Sequence, residues 1–425
     1  MMFTCRQTEL ANRLLIRTST VFTIVMMLLT AVSVSAQDLI VVKGRVLDEE
    51  TDKPLPYASV FLNNSTFGAV ADENGEFEFY TKPGNYDLIV NFFSYQPIIF
   101  PVEFTKESAK KFVFKMRPLE YDLEEVSVES TRDKIWYKNF EVFKSTFLGS
   151  SINASKCEIL NPEVLIIDFN QKTKTMKVRA RDVLKIRNSG LGYDIDYLLD
   201  TYEYNVGLGR VYFQGYPRFL EMKGRSGKKS KWSKARRKAY LGSPTHLFTS
   251  LVAGNSAAEG FSMIKIIRKL NPNRPTELEV KEARSKLKSA RISGVTISPN
   301  SDASSVMARS REPKFIQYTN NQPLTSDSLI VREGDKIYLD FEDHIQIIYD
   351  KEPSELAFTG SISSKKTQKS VMSLTGTKTE ILENGMMLDP FAILFEGYMG
   401  WEKLGDMLPV DYKLSDGTTK KGNND

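Results

Sequence analysis

Two neighbouring stretches, Asp72-Glu73-Asn74-Gly75-Glu76-Phe77-Glu78-Phe79-Tyr80 and Lys82-Pro83-Gly84-Asn85-Tyr86-Asp87-Leu88-Ile89-Val90, each set a turn signal directly before a strand pattern. Side chains alternate faces along a strand, so Phe77 and Phe79 share one face and Glu76 and Glu78 the other. Asn74-Gly75 and Pro83-Gly84 supply the positive-φ and fixed-φ positions that tight turns require. The same grammar extends in both directions. Strand candidates run Leu39–Leu47, Leu55–Leu62, Phe67–Ala71, Glu76–Tyr80, Tyr86–Phe93, Tyr95–Pro101 and Phe112–Arg117. Short strands at this spacing predict a seven-stranded Greek-key β-sandwich over residues 38–118.

Within it, Val42-Lys43-Gly44-Arg45-Val46, Pro54-Leu55-Pro56-Tyr57-Ala58-Ser59-Val60, Gly68, Asp72-Glu73-Asn74-Gly75-Glu76-Phe77 and Pro83-Gly84-Asn85-Tyr86 follow one another in order. This series resembles the carboxypeptidase regulatory-like domain, a prealbumin-like sandwich common in exported Bacteroidota proteins. The resemblance implies an accessory module and no peptidase. A carboxypeptidase zinc site takes two His and a Glu, whereas the chain has only His246 and His344, far apart, and no His-x-x-Glu. Tyr121 to Val128 is similar to the stretch that follows such modules in TonB-dependent receptors. A barrel of about 22 strands needs far more chain than remains.

At the N-terminus, Arg13 and Arg17 precede the uncharged apolar run Val21–Val34, which ends in Val34-Ser35-Ala36-Gln37. The run is shorter than the roughly 20 apolar residues of a spanning helix. It predicts a signal peptide over residues 1–36, cleaved before Gln37. No Cys follows for lipid attachment, and no second long apolar run predicts a transmembrane helix in the mature chain. The expected location is therefore the periplasm or the outer membrane. Cleavage removes Cys5 and leaves Cys157 without an internal disulfide partner; a buried structural thiol is expected there.

Leu119 to Asp133 carries six acids (Glu120, Asp122, Glu124, Glu125, Glu129 and Asp133), and residues 119–134 read as an acidic linker. From Ile135 the pattern changes to that of a larger, mainly-β (α+β) domain, residues 135–414, with two or three helices. A short helix is expected at Ile135–Phe143 and two more within 230–254. Strands are expected at Val164–Asn170, Thr175–Ala180, Leu184–Ile186, Asp194–Asn205, Arg210–Phe213, Phe261–Ile267, Leu278–Val280, Ile316–Tyr318, Lys336–Phe341 and Ile345–Tyr349. Ser298–Ser328 reads as a long loop around one strand, and residues 415–425 as a disordered tail. Phe140 to Pro162, Leu191-Gly192-Tyr193, Ala239 to Leu251 and Gly397 to Trp401 resemble a domain that accompanies the regulatory-like module; the resemblance implies architecture and no activity.

Composition narrows the chemistry. The 425 residues contain 58 Lys plus Arg against 53 Asp plus Glu, with two Cys and two His, so clustered zinc sites and disulfide scaffolds are excluded. No cofactor is expected. Gly254-Asn255-Ser256-Ala257-Ala258 fails the nucleophile-elbow pattern at its last position. Ser226-Gly227-Lys228-Lys229-Ser230 lacks the glycine spacing of a phosphate loop, and Gly190-Leu191-Gly192 and Gly207-Leu208-Gly209 lack a third dinucleotide glycine; all three read as turns. Asp194 with Asp196, and Asp340, Glu342 and Asp343 beside His344, are carboxylate clusters on strands. Ser243 is an N-cap and Pro244 a first helical residue, which makes His246 a packing residue.

The unusual feature is Lys223 to Lys238: nine cations and no acid, in a mature chain of net charge +3 whose remainder carries −6. As a helix it would dock through Trp232 and expose Lys228, Lys229, Lys231, Lys234, Arg237 and Lys238. These form the candidate contact with an anionic envelope surface. The reading is a non-enzymatic exported envelope protein whose sandwich mediates binding or assembly, its partner an envelope protein or a glycan or lipid surface. The export signal excludes nucleic acid. The rivals are a carbohydrate-binding accessory, with Tyr57 or Tyr95 as platform, and a hydrolase using Asp194 and Asp196 or Ser243 and His246.

Overall fold

The computed structural model describes residues 39–105, 111–119, 133–296, 298, 301–360, 367–389 and 391–414. The signal peptide, the linker apart from its ends and the 415–425 tail lie outside the described residues.

The first seven strands are β1 (Ile40–Asp48), β2 (Ser59–Leu62), β3 (Gly68–Val70), β4 (Glu76–Thr81), β5 (Gly84–Asn91), β6 (Ile98–Phe104) and β7 (Lys111–Met116). They form two sheets, ordered β4-β1-β7 and β3-β2-β5-β6. Alternation in β4 falls as the sequence requires: Phe77 and Phe79 are buried and Glu76 and Glu78 exposed. Glu78 lies opposite Lys43 of β1 and pairs with it at 3.0 Å. The Asp72 carboxylate accepts the N–H groups of Asn74 and Glu76 and so closes the turn into β4. Val42, Val46 and Phe114 from one sheet pack on Val60, Leu88 and Val90 from the other.

A second layer begins with α1 (Lys134–Phe147), capped by the Asp133 side chain on the Trp136 N–H. It covers a six-stranded sheet of β8 (Cys157–Ile159), β9 (Leu165–Asn170), β10 (Thr175–Ala180), β11 (Leu184–Asn188), β12 (Tyr193–Asn205) and β13 (Arg210–Glu221). Phe143 and Phe147 are fully buried, and Phe147 meets Tyr197, Tyr202 and Phe213 ring to ring. Two helices follow, α2 (Ser226–Tyr240) and α3 (Pro244–Val252).

The third layer comprises β14 (Phe261–Leu270), α4 (Glu277–Ile292), α5 (Asp302–Arg309), β15 (Phe315–Pro323), β16 (Ile330–Glu333), β17 (Lys336–Asp340), β18 (His344–Pro353), α6 (Leu356–Thr359), β19 (Thr367–Leu374), β20 (Lys378–Ile381), β21 (Ile393–Gly397) and α7 (Tyr398–Trp401). Its sheets run β15-β14-β18-β19-β21 and β16-β17-β20. Leu247, Phe248 and Leu251 of α3 pack into the core between them with Ile345, Ile347 and Met372.

The mainly-β reading holds, but helices among the described residues are more numerous than the two or three expected. The strand expected at Leu278–Val280 is the first turn of α4, closed by a capping box in which Thr276 and Glu279 satisfy each other's backbone N–H groups. The loop expected at Ser298–Ser328 contains α5, whose N-cap Ser301 accepts the Ser304 N–H, and a nine-residue β15.

The sandwich touches the rest of the chain through its β2–β3 hairpin. Asn64 N–H donates to Pro217 O at 2.8 Å and Phe219 N–H to Ser65 O at 2.9 Å. Val410 N–H donates to Asn64 O at 2.8 Å, and the Asp411 carboxylate accepts both the N–H and the hydroxyl of Thr66. Buried Arg218 donates to the Ser59 hydroxyl at 3.1 Å.

Candidate functional site

The basic run folds as α2 despite weak local support. Its N-cap is Arg225, whose side chain caps nothing, and no acid sits in the first turn. Lys228 and Lys229 occupy that turn, where the helix dipole disfavours cations. Tertiary packing supplies what the terminus lacks. Trp232 is buried against Gly192, and its indole N–H donates to Ser189 O at 3.0 Å. Gly192 holds φ +75°, and a Cβ there would lie 2.2 Å from the Trp232 ring, so only glycine admits this contact. The Arg236 guanidinium stacks 3.8 Å above the Tyr193 ring and donates to Leu191 O, Gly192 O and Glu221.

Docked this way, α2 divides its charge. Arg236 is neutralised by Glu221 at 2.6 Å and Lys238 by Glu355 at 3.0 Å. Arg237 lies close enough to Glu352 for its charge to favour that group's ionised form. Lys223, Arg225, Lys228, Lys229, Lys231 and Lys234 are all exposed, and none forms an ion pair among the described residues. Lys228 extends over the Trp232 ring, 5.7 Å from its centre. The six candidate contact residues therefore separate into Lys228, Lys229, Lys231 and Lys234, which are exposed and unpaired among the described residues, Arg237, which is exposed and acts on Glu352 through its charge alone, and Lys238, which pairs with Glu355. Ser226-Gly227-Lys228-Lys229-Ser230 is the helix start and not the expected turn; the two glycine pairs do lie in turns.

Beside α2, Thr66, Tyr193, Ser233, Arg236, Asp411 and Tyr412 line a polar cleft of about 320 Å³. A larger open groove of about 720 Å³ lies where β10 and β12 part, beyond the Lys177–Glu203 pair. Among its charged lining residues, Lys177 pairs with Glu203 and Arg179 with Asp168, and Asp200 adds a further carboxylate.

The other sequence candidates are not assembled as catalytic sites. Ser243 accepts the His246 N–H, as its capping role requires. The His246 ring is buried, with Nδ1 accepting the Gly242 N–H at 3.1 Å and Nε2 3.3 Å from Glu259, among Tyr240, Phe261 and Tyr349. Burial lowers its pKa, against the pull of Glu259. Asp194 pairs with Arg187 at 2.9 Å. Asp196, opposite Arg218, is raised by burial and drawn back by Arg218 and Lys185. Glu342 and Asp343 share Lys265, and His344 is bonded to Ser373. The Ser256 hydroxyl is buried on that of Ser326. Cys157 is a buried free thiol, pushed up to about 12 by burial and by Asp406, as a structural cysteine should be. Tyr95 is committed to Asp48 at 2.6 Å, a bond that holds Asp48 down to about 2; Tyr57 is 65% exposed.

Among the described residues no three His, Cys, Asp or Glu group closely enough to hold a metal ion. No helix among them is long and apolar enough to cross a membrane, which says nothing of β-barrels.

The in-order motifs, the two-sheet sandwich and its sealed core meet in one assignment. Residues 42–128 match the CarboxypepD_reg-like domain. That domain family is non-catalytic. Among solved structures the chain is similar to a DUF3823 family protein from Bacteroides ovatus, at 9% identity and TM-score 0.16, over 44% of this chain and 82% of that one. A Bacteroides fragilis protein, provisionally described as membrane-associated and of unknown function, matches at 8% identity and TM-score 0.16, over 84% and 93%. One from Bacteroides uniformis, provisionally described as carbohydrate binding, matches at 12% identity and TM-score 0.16, over 46% and 83%. TM-scores this low carry no functional inference. No curated protein matches.

Proposed function

We propose that the chain is a non-enzymatic, exported cell-envelope protein in which the regulatory-like sandwich serves binding or assembly and the N-terminal half of α2 contacts an anionic lipid surface. The supporting observation is the division of charge along one helix. Arg236 and Lys238 near its C-terminus are matched by Glu221 and Glu355, while the cations from Lys223 to Lys234 form no ion pair among the described residues. A helix start crowded with unmatched cations is locally unfavourable, and it becomes favourable when an external anion lies against it. The docking of Trp232 holds these side chains on a fixed element.

Each Lys near an anionic lipid surface contributes about 1 kcal/mol. In the chain from Gln37 onward, replacing Lys228, Lys229, Lys231 and Lys234 with Gln should weaken binding to phosphatidylglycerol-containing vesicles at least tenfold. Raising salt from 0.1 to 1 M should do the same to the parent, as the Debye length shortens from about 10 to about 3 Å. Replacing Lys238 alone should change binding little. A parent protein that ignores anionic vesicles, or a quadruple variant that binds them as well, overturns the proposal.

A further inference from the structure

Between β14 and β15 the chain leaves the third layer and returns as the α4–α5 pair. β14 pairs with β18 as far as Ile266, opposite His344; from Ile267 to Leu270 its partner among the described residues is β15 alone. This two-stranded ribbon leads into the helices. Its far end is tied by the Asn271 and Arg274 side chains, which donate to the Glu312–Pro313 segment. Past that tie α4 packs on α5, and no other described element makes comparable contact with either. Val280 and Ala283 are the buried residues of α4, and α5 buries none. The helical pair therefore stands off the body as an arm.

The arm is basic. Between Ile267 and Phe315 there are eleven Lys or Arg against five Asp or Glu. Three of those acids are engaged near its base: Glu277 pairs with Arg274, Glu279 closes the capping box, and Glu312 accepts the Asn271 amide. Lys281, Arg284, Lys286, Lys288 and Arg291 are exposed, and none forms an ion pair among the described residues. Residues three, four and seven apart share a helix face, so Leu278, Lys281, Ser285, Lys288 and Ile292 form one row, turned away from Val280 and Ala283. The row is apolar at both ends and cationic between them, with its ends about 21 Å apart. Ile292 is 76% exposed, and Val295, just past the helix, 60%. A purely ionic partner gains nothing from alkyl side chains flanking the lysines. A lipid surface takes both, phosphates for the ammonium groups and the shallow acyl region for the alkyl ends.

We infer that the α4–α5 arm is a second contact with an anionic lipid surface: α4 lies along the leaflet, Lys281 and Lys288 against phosphates, with Leu278, Ile292 and Val295 entering the boundary between headgroups and acyl chains. The class of surface rests on the function proposed above. The two contacts differ in kind. α2 exposes no large apolar side chain, so its contact is electrostatic, whereas the arm adds insertion.

Insertion is read by a dye at position 292. From Gln37 onward the one cysteine is Cys157, whose thiol is buried and raised by that burial, so Ile292→Cys supplies a single reactive site. A nitrobenzoxadiazole label there should brighten roughly twofold or more on phosphatidylglycerol-containing vesicles and stay unchanged on phosphatidylcholine alone. Adding Lys281→Glu and Lys288→Glu should raise the lipid concentration for half response about tenfold. Val295→Cys is the second label site should Ile292→Cys disturb the helix end. The quadruple α2 variant should bind more weakly yet brighten equally once bound. Vesicle binding with the label silent at both positions overturns the arm and leaves the α2 contact in place; docking of the arm on an acidic protein surface would give this result. Brightening that the two charge reversals leave unchanged overturns it as well. Brightening in a quadruple α2 variant that binds as tightly as its parent removes the α2 contact and leaves the arm. A parent that ignores these vesicles overturns both.

Discussion

Gly192 carries more of the structure than its size suggests. It combines φ +75° with the face of Trp232, and it leads into Tyr193, on which Arg236 stacks. One added methyl meets two penalties at once, a left-handed backbone and a ring 2.2 Å away. Gly192→Ala should therefore cost roughly 3 kcal/mol. The loss should localise to α2, appearing as faster proteolysis after its lysines together with a lower denaturant midpoint. A midpoint unchanged from the parent would mean that Trp232 is not seated on this glycine. The sequence offers Gly192 as one of a pair too short for a nucleotide loop and as part of a block, Leu191-Gly192-Tyr193, that implies architecture alone. Its actual partner is Trp232, 40 residues away, and local pattern cannot reach that far.

At the scale of elements, the strands were legible where one face is buried and the other wet. β4 and β10 read correctly because alternation survives in Glu76-Phe77-Glu78-Phe79 and in Met176-Lys177-Val178-Arg179. α4 was missed because it buries little: Val280 and Ala283 are its buried residues, while Leu278 is 65% exposed. No apolar stripe announces it. The legible signal was the capping box, Thr276 with Glu279 three residues on, immediately after Pro275. A helix with so small a buried face depends on its cap, so Thr276→Ala should cost about 1 kcal/mol and lower helical ellipticity at 222 nm. Equal ellipticity in variant and parent would contradict that dependence. The candidate site was legible to the same degree. The run Lys223 to Lys238 marks α2 as unusual, but which cations are neutralised depends on Glu355, 117 residues from Lys238, and this only the fold reveals.

For the whole molecule, the question is what orients the sandwich on the body. The covalent connection passes from Leu119 to Asp133. Away from it, the β2–β3 hairpin is gripped from two sides, by β13 through Pro217 and Phe219 and by the C-terminal segment through Val410 and Asp411. Asp411 lies 345 residues from Thr66, so no reading of either stretch could have joined them. Three of these hydrogen bonds are backbone to backbone and survive any side-chain change; the carboxylate is the part that mutation can remove. A half-buried, charge-assisted pair of bonds is worth about 2 kcal/mol. Asp411→Ala should lower amide protection from Asn64 to Thr66 roughly 30-fold, the equivalent of that energy, while Leu88 to Val90 in the sandwich core keep theirs. Asp411→Asn, which retains one acceptor, should fall between. A loss spread evenly over the sandwich would show that Asp411 stabilises the domain itself, and no loss at all would show that the backbone grip alone holds the hairpin.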